Sequence, residues 1–262
     1  MGVADYVTRS EEAPHHEDPA EERRERQRQL VLGYRLFGAL RWGDTGDGHI
    51  SARDPERTDH FWLLGYGVPF NRATAEDLVL VGPSGEVVEG RHQINPTAHR
   101  IHAPIHEARP DVVSAAHTHT HWGTPFSAQA RLLEPITQEA CAFHGDHALF
   151  DDEEVNIAST DGGKRIAVAL GPTKAVILRN HGLLTVGGSV GEAVGWFVML
   201  ERAAEAAVKS PSARPISDEA ARSAHASLCG RQTGWHAFRW LVATHGLEAT
   251  GDGDGAPSPW DL

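Results

Sequence analysis

The stretch Ala115-Ala116-His117-Thr118-His119-Thr120-His121-Trp122 constrains the fold of this chain more than any other. Asp111-Val112-Val113-Ser114 ahead of it opens a buried strand. Side chains alternate faces along a strand, so His117 and His119 point the same way, two residues apart. At that spacing two imidazoles can grip one divalent cation. His121 shares the face but falls where the strand should end, and stays outside the expected ligand set. A second apolar run, Ala175-Val176-Ile177-Leu178, ends in Arg179-Asn180-His181-Gly182, which makes His181 the expected third ligand. The chain holds 17 histidines, so a lone His-x-His pair would mean little. The weight comes from both clusters ending hydrophobic strands, where a rigid scaffold aims side chains at one point.

Composition narrows the class. The 262 residues allow one large domain or two small ones, with enough length to bury a core. A formal charge of -12 argues against nucleic-acid and anionic-membrane partners, both of which want basic patches. Cys141 and Cys229 cannot build a disulfide framework, and neither has a neighbour at metal-ligand spacing, so a reducing cytoplasm is expected. No apolar run approaches the roughly 20 residues that span a bilayer. The acidic, polar start is not a signal peptide.

Residues 1–20 are rich in charge, His and Pro, and are expected to form a disordered arm. A helix follows over Glu21 to Trp42, then a glycine-rich loop, Gly43 to Gly48. Short strands are expected at His49–Arg53, Phe61–Leu64, Leu78–Val81 and Glu86–Glu89, the last two joined by the hairpin signal Gly82-Pro83-Ser84-Gly85. Thr97 is the expected cap of a helix over Ala98–Ala108. Along it Ile101 and Ile105 share a face, and His99, His102 and His106 also fall at helical spacing. A helix at Trp122–Ala130 and a strand at Leu133–Ile136 lead into a loop-rich region to Asp161. A helix at Lys164–Leu170, strands at Ala175–Leu178 and Leu183–Val186, and a long helix at Gly191–Lys209 complete a unit of residues 21–210. Gly187 to Gly191 lacks both the fingerprint glycines and the lysine of a phosphate cradle, and is a turn into a helix cap. Residues 211–262 hold a linker, one last helix over about Asp218–His245 and a loose tail. Asp151-Asp152-Glu153-Glu154 is a solvated acidic loop. Strands and helices intermix without clean βαβ alternation, so the class is α/β or α+β with a mixed sheet.

In order and separation, Gly48-His49-Ile50-Ser51, Arg109-Pro110-Asp111, His117-Thr118-His119 and Arg179-Asn180-His181-Gly182-Leu183-Leu184 resemble the landmarks of the class II aldolase/adducin family. The resemblance covers roughly residues 25 to 210. It implies a three-layer α/β/α sandwich around a mostly antiparallel sheet. It also implies one divalent metal per subunit held by His117, His119 and His181, and a ring-like homotetramer. Departures from the family pattern are informative. Where sugar-phosphate aldolases hold phosphate through a Gly-Asn-x-Ser loop, a Thr-Gly pair and a Ser-Ser pair, this chain has His49, Tyr66 before Gly67, and Pro96-Thr97. Small donors have become an imidazole, a phenol and a proline without an N–H. The family's catalytic glutamate falls at Ala98, which cannot exchange a proton.

A three-histidine metal with open positions therefore faces a pocket expected to have aromatic and cationic walls. His49, Arg100 and His102 are the catalytic candidates, with Arg100 able to pair bidentately with a carboxylate. Tyr66, Gln138 and His144 are the substrate-binding candidates. Tyr66 is as well explained as a core residue, and His102 as a helix histidine bonding a backbone carbonyl. The leading reading is a metal-dependent lyase, of decarboxylase or aldolase type, acting on a non-phosphorylated hydroxy or keto acid, aromatic or not. The metal would be zinc, manganese or iron(II), with no nucleotide cofactor. The runner-up is a non-haem iron oxygenase that oxidatively decarboxylates an aryl-keto acid, as resembled members of aminocoumarin biosynthesis do. An epimerase and a non-catalytic, adducin-like scaffold stand further off, because a scaffold has no use for three convergent imidazoles.

Overall fold

A computed structural model describes residues 12–230 and 232–249. The first helix, α1 (Pro19–Ala39), begins where the Asp18 carboxylate accepts the free N–H groups of Ala20 and Glu21. It thus starts inside the stretch expected to be an arm, and ends three residues short of Trp42. Residues 1–11 of that arm, and the tail after 249, lie outside the described residues. Four strands follow: β1 (Gly48–Arg53), β2 (Phe61–Leu64), β3 (Leu78–Val81) and β4 (Val87–Glu89). Next come α2 (Pro96–Ala108), β5 (Ser114–Thr118), α3 (Gly123–Ser127), α4 (Gln138–Cys141) and β6 (Ala148–Phe150). The chain continues through α5 (Thr160–Leu170), β7 (Ala175–Leu178), β8 (Gly182–Gly187), α6 (Val190–Lys209), α7 (Asp218–Leu228) and α8 (Thr233–Thr244).

The strands form an 8-stranded sheet in the order β4-β3-β2-β1-β5-β8-β7-β6. Every adjacent pair is antiparallel except β6 with β7. One face packs under α1, α6 and α8 through Leu30, Phe37, Ile50, Ala116, Phe197 and Trp235. The other packs under α2 and α5 through Ile101, Ile105, Ala115, Ile166 and Leu184, with Phe61, Val79 and Ala98 alongside. Two helical layers on one mixed sheet make the expected α/β/α sandwich. The Tyr34 hydroxyl fastens the first layer, donating to the Ile50 carbonyl and accepting the Ile50 N–H, both at 2.8 Å. In the second layer Pro104 has no N–H for the Arg100 carbonyl, and α5 approaches that oxygen at Gly163. A Cβ there would lie 1.8 Å from it, so only glycine fits.

Several local expectations need correction. Asn95, not Thr97, caps α2: its side chain accepts the Thr97 N–H, and Pro96 occupies the first turn. Leu133–Ile136 is not a strand. Pro135 cannot donate to a ladder, and the backbone is satisfied piecemeal, by Leu133 N–H to His147 Nε2 and Ile216 N–H to the Pro135 carbonyl. The region expected to be loop contains α4 and the edge strand β6. The last helix is two, broken after Cys229, and α8 docks on α6 of the same chain. There a Cβ on Gly195 would meet the Gly234 carbonyl at 1.8 Å. The acidic loop is tied by ion pairs from Arg179 to Asp151 and from Arg165 to Asp152 and Glu154.

Glu201 of α6 is an anchor that sequence reasoning missed. Its buried carboxylate accepts the Thr120 hydroxyl at 2.6 Å and the N–H groups of Gly123 at 2.7 Å and Trp122 at 3.0 Å. It thereby caps α3 and holds the turn that follows His119. Burial raises its proton affinity against the pull of those donors. Glu201→Ala strands all three donors, and we expect a loss of roughly 2–4 kcal/mol in urea unfolding; a change below about 0.5 kcal/mol would show the cap to be idle.

Candidate metal centre

The antiparallel register of β1 and β5 sets His49 directly opposite His117, and Ser51 opposite Ala115. All four side chains therefore face the α2 layer. His117 is buried, and its Nδ1 lies 2.8 Å from the Leu183 carbonyl. A carbonyl can only accept, so Nδ1 carries the proton and Nε2 keeps the lone pair a cation needs. His119 follows the end of β5. Its Nδ1 is 3.4 Å from an Asp47 carboxylate oxygen, and the Asp47 carbonyl accepts both the His119 N–H at 3.3 Å and the Thr118 hydroxyl at 2.6 Å. The glycine loop can come this close because Gly48 has no side chain: a Cβ there would lie 2.4 Å from Thr118 Oγ1. His181 sits in the β7–β8 turn, after Asn180 at φ 57°, a left-handed conformation that asparagine tolerates.

Together His117, His119 and His181 offer ring nitrogens that all lie within 4.8 Å of one another. Their ring centroids stand 4.8, 5.0 and 5.5 Å apart. Burial, then neighbouring histidines, push the proton affinity of His117 well below the ordinary range, and burial beside His119 takes His181 down to about 4. Convergent imidazoles, with the Leu183 carbonyl behind His117 and the Asp47 carboxylate behind His119, fit a divalent cation, and the expected ligand set is brought together.

The other expected residues separate. His49 lines a cleft of about 300 Å³, with Tyr34, Leu63, Leu64, Phe70 and the Gly43–Gly48 loop. Its ring centroid is 5.0 Å from that of His117, so it bridges cleft and cluster. His102 lies wholly buried behind His49, its Nε2 2.7 Å from His49 Nδ1, and touches the cleft only through it. Its partners are side chains, not the backbone carbonyl of the alternative reading. Tyr66 lines the rim at 63% exposure, and Ala98 lines the wall where a carboxylate was the family expectation. Arg100 does not line the cleft; its guanidinium turns to the Ile157 carbonyl at 3.5 Å because its helix face meets α5. Gln138 and His144 do not line it either. Gln138 starts α4, packed on α6 and α7, and His144 pairs with Asp218 of α7 at 2.8 Å. Among the described residues no lysine or arginine lines the cleft, so the expected cationic wall gives way to one of mixed aromatic, aliphatic and polar residues, Asp44, Thr45 and Asn95 among them.

Three residues that serve this region were missed. Asp47 carried no signal beyond its glycine loop. Ser51 is two residues from His49 on one strand face, and His106 is four from His102 on one helix face, spacings that were legible singly. We expect His117→Ala and His181→Ala to lose bound metal while keeping the far-ultraviolet dichroism of the fold, and Asp47→Ala to weaken metal affinity about 10–100-fold. Wild-type metal content in both alanine variants would refute the ligand assignment.

Comparison with known proteins agrees with this geometry. Residues 28–208 match the model of the Class II Aldolase and Adducin N-terminal domain. The chain is 41% identical over 212 residues to "Decarboxylase NovR" of Streptomyces niveus, covering 80% of this chain and 78% of that protein. It is 40% identical over 215 residues to the 4-hydroxy-3-prenylphenylpyruvate oxygenase/4-hydroxy-3-prenylbenzoate synthase of Streptomyces roseochromogenus subsp. oscitans, covering 80% and 76%. A solved structure, the L-fuculose 1-phosphate aldolase from Glaciozyma antarctica PI12, superposes with a TM-score of 0.83 at 34% identity, covering 90% of this chain and 96% of that one. With three histidines converging at the end of a mostly antiparallel sheet, and a family match over most of its length, this chain belongs to the class II aldolase and adducin family.

Proposed function

We propose that this protein is a metal-dependent lyase that decarboxylates a non-phosphorylated hydroxy or keto acid carrying an aromatic ring. The observation that carries this reading is the junction at His49. On one side lie three histidines suited to a divalent ion, and on the other a cleft of mixed lining, with Tyr34, Leu63, Leu64 and Phe70 beside Asp44, Thr45 and Asn95, and without a lysine or arginine. A sugar phosphate would leave its charge uncompensated there, whereas a planar apolar group matches walls of Tyr34, Leu63, Leu64 and Phe70. The relative named as a decarboxylase supports the same direction.

Once bound, a divalent ion supplies Lewis-acid polarisation of an oxygen beside the bond to be broken. The protein's own groups do the rest. His117, His119 and His181 would hold the ion, with His119 braced by Asp47. His49 is the titratable side chain that faces both compartments, and with Ala98 in the neighbouring wall it takes the proton-transfer role that a carboxylate would have filled. Burial lowers the proton affinity of His49, first by desolvation and then through its neighbour His102, and the proton that the carbanion needs once CO₂ leaves would reach it through His49 or water.

A second reading is a non-haem iron(II) oxygenase that decarboxylates an aryl-keto acid with O₂. It is favoured by the relative named as an oxygenase of a phenylpyruvate. His117, His119 and His181 would hold the iron(II), which would supply the redox chemistry that activates O₂. Zinc, manganese or iron(II), one per subunit of a homotetramer, completes either version. Among the described residues no helix is long and apolar enough to cross a membrane.

The test is metal analysis of untagged protein, with CO₂ release and O₂ uptake followed on aryl-keto and hydroxy-aryl acids. Anaerobic CO₂ release with zinc or manganese is the expected result. Stoichiometric iron with substrate-dependent O₂ uptake selects the oxygenase, and an absence of bound metal refutes both.

A further inference from the structure

One side of the cleft beside His49 is closed by Phe70 and Gly43, which both line it. They meet as closely as a glycine allows: a Cβ on Gly43 would lie 2.2 Å from Phe70 Cε2 and 2.7 Å from Cδ2. Gly43 also stands at φ 76°, in the left-handed region, where the glycine loop begins. Behind the Phe70 ring, Tyr34 meets it edge-on with ring centroids 4.9 Å apart. Tyr34 cannot yield, because the Ile50 N–H and carbonyl both hold its hydroxyl at 2.8 Å.

The backbone that carries Phe70 is pinned as well. Phe70–Arg72 form one tight turn that packs on α1 at Gly38, where a Cβ would lie 2.5 Å from the Asn71 nitrogen. Arg35 of α1 donates to the Ala73 carbonyl at 2.8 Å and ties the far end of the turn. With its turn fixed and its ring set between Gly43 and Tyr34, Phe70 has the cleft as its free side. A side chain added at Gly43 therefore drives the ring into the cleft, and a narrower side chain in place of Phe70 widens it. The other apolar walls do not adjust in this way. Leu63 and Leu64 are held in register on β2, opposite Val79 and Leu78 of β3.

We propose that Phe70, seated by the missing side chain of Gly43, is the specificity-determining residue of the cleft, and that the pair sets how broad a ring can lie beside the histidine cluster. This rests on the reading that an aromatic ring occupies the cleft, and it names the property selected: the breadth of the flat group attached to a chelating acid. An acid without a ring has no need to touch Phe70, so its binding is indifferent to the pair. Gly43 thus has two duties, a left-handed turn and a seat for an aromatic edge, and only the second bears on the ligand.

The test is calorimetric binding to zinc-loaded protein of three unreactive keto-acid mimics: oxamate, N-benzyloxamate and N-(naphthylmethyl)oxamate, which carry no ring, one ring and two fused rings. Wild-type protein should bind the benzyl compound about tenfold more tightly than oxamate. Gly43→Ala should remove about that tenfold while oxamate affinity stays within about twofold, and adding Phe70→Leu to the same chain should restore it. Phe70→Leu alone should raise the naphthyl-to-benzyl affinity ratio about fivefold. A damaged fold does not produce that gain, so it decides the matter even if Gly43→Ala fails to fold. An unchanged ratio in Phe70→Leu, a Gly43→Ala defect that Phe70→Leu does not relieve, or a wild-type protein that gains nothing from the ring would overturn the proposal. No bond is broken in these ligands, so a failure of selectivity and a failure of the proposed decarboxylation are separate results.

Discussion

The antiparallel pairing of β1 with β5 places His49 opposite His117 and Ser51 opposite Ala115 at the middle of the sheet. Register in a sheet is all or nothing, since a slip of one residue turns every side chain to the other face. Here it would send His49, Ser51 and His117 into the layer filled by Leu30, Phe37 and Phe197, and bring Ile50 and Ala116 out among histidines. The apolar cost of that exchange is what holds the polar site together. Ile50 and Ala116 pack under α1 and α6, and their burial makes the alternation of β1 and β5 a fixed pattern.

The layer above the site carries an unusual load of polarity. His102, His106, Ser51 and His117 are buried on the α2 side, where most domains place aliphatic residues. Groups of this kind are tolerated only when hydrogen-bonded, and here the bonds run from ring to ring, to a serine and to the Leu183 carbonyl. Such a network is rigid because rotating one ring breaks the bonds of two others. Glu201 plays the corresponding part in the other layer, gathering Thr120, Trp122 and Gly123 so that the chain leaves His119 in a fixed direction. The histidine cluster is thus braced from both helical layers and from the glycine loop through Asp47.

What was legible in the sequence was local. His117 and His119 declare themselves by a two-residue spacing at a strand end, and His181 by an apolar run that stops at a turn, because strand alternation and turn chemistry are written within a few residues. Relations across the fold were not. The three-residue strand β6 exists only because β7 runs beside it, and Leu133–Ile136 is apolar enough for a strand but finds no ladder. Arg100 looked well placed on the helix before the metal strand, yet helical rotation directs it to the Ile157 carbonyl and takes the cation out of the cleft. Gln138 and His144 followed the same logic: His144 is satisfied by Asp218, a residue of a helix 74 positions away. The spacings of Ser51 and His106 were visible, but their meeting depends on how α2 crosses β1, which no local pattern encodes.

The claim on which the rest depends is that His117, His119 and His181 hold one divalent ion together. The most direct measurement is anomalous diffraction from crystals of the metal-loaded protein, collected on both sides of the absorption edge of the bound metal. One anomalous peak per subunit is expected, within bonding distance of a ring nitrogen of each of the three histidines and of no other protein side chain. A peak elsewhere in the molecule, or one that leaves any of the three unbonded, would contradict it.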